Sequence, residues 1–194
     1  MMHIYTGIGS RETPDAVLAQ MSDIAEILAT KGYTLRSGAA DGADRAFETG
    51  VLRVPKGSLE LYLPWKGFND STSLRYVVTE AALELAQTVH PRWQDLKDSV
   101  RKLHARNCYQ VLGETLDRPT EFVICWTPDG CDTEAARTRA TGGTATAVVL
   151  AHRHHIPIFN LQRKDAHARL VDFLSMRGIQ LKKGFDQGYQ ATLF

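Results

Sequence analysis

Apolar and polar positions along this chain switch between a period near two and a period near 3.6, and the switches mark out its elements. His3 to Thr6 is a short β-prone run, closed by Gly7-Ile8-Gly9-Ser10, in which two residues tolerate backbone angles that others resist. Thr13 is positioned to cap a helix opening at Pro14, along which Val17, Met21, Ile24 and Leu28 recur at spacings of four, three and four. Gly32 ends it. Tyr33-Thr34-Leu35 reads as a second strand, and a helix from near Asp41 turns Ala43, Ala46, Phe47 and Val51 inward until Pro55 and Gly57 break the run. Leu59 to Leu63 is a third strand with Leu59, Leu61 and Leu63 on one face, stopped by Pro64.

The middle is less regular. An aromatic, glycine-containing loop, Trp65-Lys66-Gly67-Phe68, precedes a helix expected from about Ser73 to Thr88. A second helix is expected to open at Pro91 with Trp93, Leu96, Val100, Leu103, Asn107 and Val111 in one stripe. Phe122 to Trp126 is a compact apolar run suited to a strand covered on both faces, turned by Thr127-Pro128-Asp129-Gly130. Thr141-Gly142-Gly143-Thr144 leads into a small-residue helix from Ala145 to Ala151. Ile156 to Phe159 gives the last strand and Ala166 to Met176 the last helix, while the tail from Gly178 is expected to add an edge strand or cover a face. This alternation predicts an α/β fold with a mainly parallel sheet flanked by helices. It reads as one domain over 1–194, carrying a helical insertion at about 65–118.

Composition narrows the partners. The 23 Lys plus Arg against 22 Asp plus Glu leave a net charge of +1, without the basic excess that makes nonspecific nucleic-acid binding the default. Cys108, Cys125 and Cys131 form neither a CxxC pair nor an even-numbered framework, which favours a reducing compartment. The N-terminus runs straight into a strand without the apolar stretch of a signal peptide or membrane helix, so a cytoplasmic protein with no membrane partner is expected.

Candidate chemistry gathers at three glycine-rich turns, which in a parallel sheet lie beyond the carboxyl ends of the strands. Gly7, Gly9, Ser10 and Arg11 offer close main-chain approach, a hydroxyl and a guanidinium to an anion. In the second turn, Ser37, Gly38 and Gly42 surround a helix N-terminus, with Asp41 and Asp44 suited to capping, hydroxyl recognition or loop support. Gly142, Gly143 and Thr144 form the third. None matches GxxxxGK[ST], and the first lacks the third glycine of the dinucleotide fingerprint. Acid–base candidates are Glu80, His90, His104, Glu114 and Glu121, with His104, Arg106 and Asn107 concentrated in one helical turn. His152, His154 and His155 lack metal-ligand spacing and read as a solvated helix end, so no metal is expected. Tyr62, Trp65 and Phe68 suit either stacking on a base or capping of the core.

Taken together, Tyr5 to Arg11, Leu35 to Asp44 and Thr141 to Thr144 resemble the Rossmann-like SLOG superfamily, which joins DNA-processing DprA proteins, LOG nucleotide phosphoribohydrolases and sensors of nucleotide signals. The likeness spans roughly 3–162 and is nearest to short DprA-like proteins of phages and bacterial genomes. It implies that Gly7, Gly9, Ser10, Arg11, Ser37, Gly38 and Gly42 line a nucleotide pocket and that Gly142, Gly143 and Thr144 form its phosphate side. Against the LOG motif PGGxGTxxE, Thr141 replaces the proline, Ala145 the later glycine, and Val149 stands at the glutamate position. Glu80 or Glu134 would have to supply that carboxylate. The leading expectation is a nucleotide-binding protein, a sensor or sequestering protein that forms a homo-oligomer and needs no cofactor. The alternatives are N-glycosidic hydrolysis of a nucleotide, and single-stranded DNA binding through a groove built from Arg36, Arg45, Arg101, Lys102, Arg106, Arg137, Arg139 and Arg153.

Overall fold

The computed structural model describes residues 3–181. Five strands, β1 (His3–Gly7), β2 (Tyr33–Ser37), β3 (Ser58–Leu61), β4 (Val123–Cys125) and β5 (Ile158–Asn160), form one sheet in the order β3-β2-β1-β4-β5. Every neighbouring pair is parallel. Six helices flank it: α1 (Asp15–Thr30), α2 (Ala43–Leu52), α3 (Glu80–Val89), α4 (Asp98–Leu112), α5 (Ala145–Arg153) and α6 (Ala166–Ser175). The protein therefore has a Rossmann-like α/β fold.

Alternation along the central strands builds two cores. Phe122 and Ile124 point to one face, where Met21, Ile24 and Leu28 of α1, Phe47 of α2 and Leu170 of α6 cover them. Val123 and Cys125 point to the other, against Ala105 and Tyr109 of α4 and Val148 of α5. Strand β4 is buried on both faces, the condition under which a strand is apolar throughout. The sheet edge at β3 is half-exposed, and there Arg36 of β2 reaches its register partner Glu60 at 2.7 Å.

Three local expectations need correction. Thr13 does not cap α1: its hydroxyl donates to the Ser10 carbonyl at 2.7 Å, and Pro14 precedes the helix without a side-chain cap. The helix expected from Ser73 starts only at Glu80, because Thr79 accepts the Ala82 amide and is itself fixed by the Tyr109 hydroxyl, which takes the Thr79 amide at 2.8 Å. Upstream, the Leu63 amide bonds to the Arg75 carbonyl at 2.8 Å, which draws this stretch alongside the end of β3. The helix expected at Pro91 is a single turn, Trp93–Asp95; Leu96 and Lys97 are extended and α4 begins at Asp98. At the tail, Ile179 and Leu181 are buried in the core beside α1 and α6, and 182–194 lie outside the described residues.

Helices α1 and α2 touch through glycine. A Cβ on Gly50 would sit 2.0 Å from the Ser22 carbonyl oxygen. Helix propensity favours alanine there by about 1 kcal/mol, but overpacking against immovable backbone costs about 1–3 kcal/mol. Gly50→Ala is expected to lower unfolding stability by about 1–2 kcal/mol in urea titrations; an unchanged or raised midpoint would contradict this packing.

Candidate functional site

Strand order reverses between β1 and β4, and a cavity of about 610 Å³ opens beyond their carboxyl ends. The turn after β1 contributes Gly9, Ser10, Arg11 and Glu12, and the turn after β2 contributes Ala40 and Asp44. The segment before α5 contributes Arg139 to Thr144, while His104, Arg106, Asn107 and Gln110 of α4 form another wall. Three separate turns thus meet at one space.

Close backbone contact makes that meeting possible. A Cβ on Gly9 would lie 2.8 Å from both the Ala43 Cβ and the Trp126 carbonyl oxygen. Gly42 has φ 79° and packs on the Arg11 main chain, where a Cβ would come within 2.7 Å of its Cα. The Ser10 amide donates to the Trp126 carbonyl at 3.0 Å, and the Ser10 hydroxyl accepts from the Glu12 amide at 3.0 Å. Both groups therefore have partners inside the turn.

Beneath these turns lies a buried ionic cluster. Arg106 Nη1 stands 3.4 Å from an Asp44 carboxylate oxygen, and both side chains are about 5% exposed. Burial raises the Asp44 carboxyl, against which Arg106 and the main-chain amides of Ala40, Gly38 and Gly9 act to keep it charged. Glu48 lies beside this pair, with Oε1 unpartnered, and burial together with the Asp44 charge raises its carboxyl to about 7. Gln110 Nε2, on the cavity wall, is also buried without a partner.

The third turn is built differently. Asp129 accepts hydrogen bonds from the Thr138 and Thr141 hydroxyls at 2.6 and 2.5 Å, which help hold its carboxyl down to about 2. Asn107 Nδ2 donates to the Gly143 carbonyl at 2.8 Å. Gly142 takes φ 60°, ψ −148°, a region essentially reserved for glycine. Gly142 and Gly143 are exposed, and a Cβ on either would meet nothing within 4 Å. The main chain is bare here.

Of the candidate residues, Gly9, Ser10, Arg11, Asp44, Gly142, Gly143 and Thr144 line the cavity. Gly7 is packed beneath it, where a Cβ would strike Phe47, and the Ser37 hydroxyl donates to the Gly7 carbonyl at 2.8 Å. Gly38 makes room for Arg106, since a Cβ would fall 1.2 Å from Nη1. Gly42 sets the turn, and Asp41 is exposed and off the wall. Glu80 is exposed at the start of α3, and Glu134 pairs with Arg153 at 2.6 Å; neither reaches the cavity. His104 does. Its Nδ1 lies 2.7 Å from the Thr146 hydroxyl, and burial, His90 and Arg106 push it down to about 4, so it is neutral near pH 7.

Other candidates disperse. Tyr62 bonds to Glu60, Phe68 packs with Ala39 and Leu63, and Trp65 is on the surface; none lines this cavity. Of the groove arginines, Arg36 and Arg106 are buried in ion pairs and Arg101 pairs with Asp98, while Arg106 and Arg139 line this cavity. His152, His154 and His155 are exposed at the end of α5. Glu12, Arg139 and Gln110 are wall residues that the motifs do not point to, although Glu12 follows directly on Ser10-Arg11. Among the described residues no helix is long and apolar enough to cross a membrane. Compared with protein-family models, curated proteins and solved structures, the chain matches none of them.

The Glu48 carboxyl gives the cluster a pH signature. Its folded value near 7 exceeds the ordinary 4.5, so its contribution to stability is full below 4.5 and is lost as pH rises through 7. Wild type is expected to lose on the order of 3 kcal/mol relative to Glu48→Gln between about pH 4.5 and 8. Urea unfolding of both proteins across that range checks this; parallel pH profiles would refute it.

Proposed function

We propose that this chain binds a nucleotide or nucleotide-derived ligand in the cavity at the β1–β4 reversal, as a sensor or sequestering protein. One observation carries the reading: turns from three distant parts of the chain line one space of about 610 Å³, within the range of small-molecule sites. The motif resemblance to the SLOG superfamily supports the same ligand class.

The three turns take different parts in this reading. The open Gly142-Gly143 main chain and the guanidiniums of Arg11 and Arg139 receive phosphate, since neither arginine has an ion pair among the described residues. The amides near Gly9 and Gly38 hold Asp44 in place rather than the ligand. Asp44 and Glu12 then face the ligand as acceptors for ribose hydroxyls.

Calorimetric titration with AMP, NAD, ADP-ribose and cyclic nucleotides tests the reading. At least one phosphate-bearing member is expected to bind, and Arg11→Ala to weaken it by about tenfold or more, the effect of losing one charge-assisted hydrogen bond. Silence across the panel would remove the proposal.

A second reading, cleavage of the N-glycosidic bond, is favoured by Glu12, a carboxylate on the cavity wall with no ion pair among the described residues. It would serve as the general base toward water or as a stabiliser of charge on the ribose carbon. Chromatography after incubation with nucleoside monophosphates is expected to reveal free base for wild type and about a hundredfold less for Glu12→Gln. No base from wild type would leave binding alone.

A further inference from the structure

A second cavity, of about 520 Å³, adjoins the first. His104, Arg139 and Gly142 line both, so the two spaces share a wall at the third turn. Their charge differs. The first space combines Arg11, Arg106 and Arg139 with the carboxylates of Glu12 and Asp44. The second has Arg92, Arg137 and Arg139 on its wall and, among the described residues, no carboxylate. Its remaining surface comes from the end of α3, the Pro91 turn, His104 of α4, Thr138 and the first residues of α5.

We infer that the second cavity receives another anionic group of the ligand held in the first, so that the site selects a two-ended ligand of the dinucleotide class over a mononucleotide. This rests on the nucleotide reading of the first cavity.

Three guanidiniums around one space repel each other, and a bound anion relieves that repulsion more than it would at an isolated arginine. Their neutralisation within the protein is incomplete. Arg92 pairs with Asp95 at 2.7 Å on its exposed side, Arg137 donates to the Val89 carbonyl at 2.7 Å, and Arg139 has no ion pair among the described residues. The histidines register the field: Arg137 and Arg92 both add to burial in lowering His90, and neutral His104 stands 4.6 Å from it, ring to ring.

The shared wall is low at Gly142, which stands there beside His104 and Arg139. Gly142 is exposed and without a side chain, with open space where a Cβ would project. A phosphodiester or ribose crossing the turn meets main chain and the Arg139 guanidinium.

The test compares AMP with pApA, the dinucleotide bearing a 5′-phosphate and an internal phosphodiester, by calorimetry on wild type, Arg92→Ala and Arg137→Gln. Glutamine at 137 retains a donor for the Val89 carbonyl, and Arg92→Ala changes an exposed side chain, so folding is checked by thermal midpoint in both. Wild type is expected to bind pApA about tenfold tighter than AMP, and each variant to reduce that advantage by about threefold or more without changing AMP affinity. Equal affinity of wild type for AMP and pApA overturns the inference while leaving the first cavity's role intact. Variants that weaken both probes alike overturn it too. If neither probe binds, the inference falls, while the reading of the first cavity is decided by the wider nucleotide panel. Affinity that continues to climb with each nucleotide added beyond two overturns it in favour of a strand-binding surface.

Discussion

One buried carboxylate holds the cavity-bearing end of this sheet in shape. Asp44 belongs to α2, on one face of the sheet, and its partner Arg106 to α4, on the other. Their contact joins the two layers over the ends of β1 and β2, with the amides of Gly9, Gly38 and Ala40 gathered on the same carboxylate. Desolvating two charges costs several kcal/mol per ion, so such a pair adds little net stability, whereas removing one partner is expensive. Its contribution here is to orientation. The turns after β1 and β2 converge because both supply donors to a carboxylate that is already part of the chain.

That constraint explains which features were legible in the sequence. Val17, Met21, Ile24 and Leu28 read as one face of a helix and are all fully buried, and the run Phe122 to Trp126, read as a covered strand, is buried throughout and has Val123–Cys125 of it in β4. Periodicity reports local demands of this sort faithfully. It does not register a side chain arriving from elsewhere. Tyr109 fixes the start of α3 from 30 residues away, and Arg106 finds Asp44 across 62. The glycine turns were therefore recognisable as turns, while the division of their amides between internal and external partners was not. Gly38 illustrates the difference, since its missing side chain accommodates a guanidinium of the protein itself.

Composition conceals in the same way. A net charge of +1 describes the chain as a whole, yet three arginines without a carboxylate share one small cavity next to another of mixed sign. Arg92 comes from the segment between β3 and β4, where sequence periodicity was weakest and where α3 and the Pro91 turn depart from their expected bounds, whereas Arg137 and Arg139 precede α5. Irregular backbone between β3 and β4 brings Arg92 and His90 to the cavity wall. Local order was least legible where the proposed selectivity resides.

The exposed Gly142-Gly143 stretch offers only peptide groups to whatever lies against it. Peptide groups grip any anion of suitable shape and cannot tell one chemical identity from another. Under the proposed function, a chain built this way separates holding from choosing: the middle of the site is generic, and discrimination is left to the side chains at its two extremities. Substitutions at those extremities would retune what is recognised without disturbing the hinge of bare backbone on which it rests.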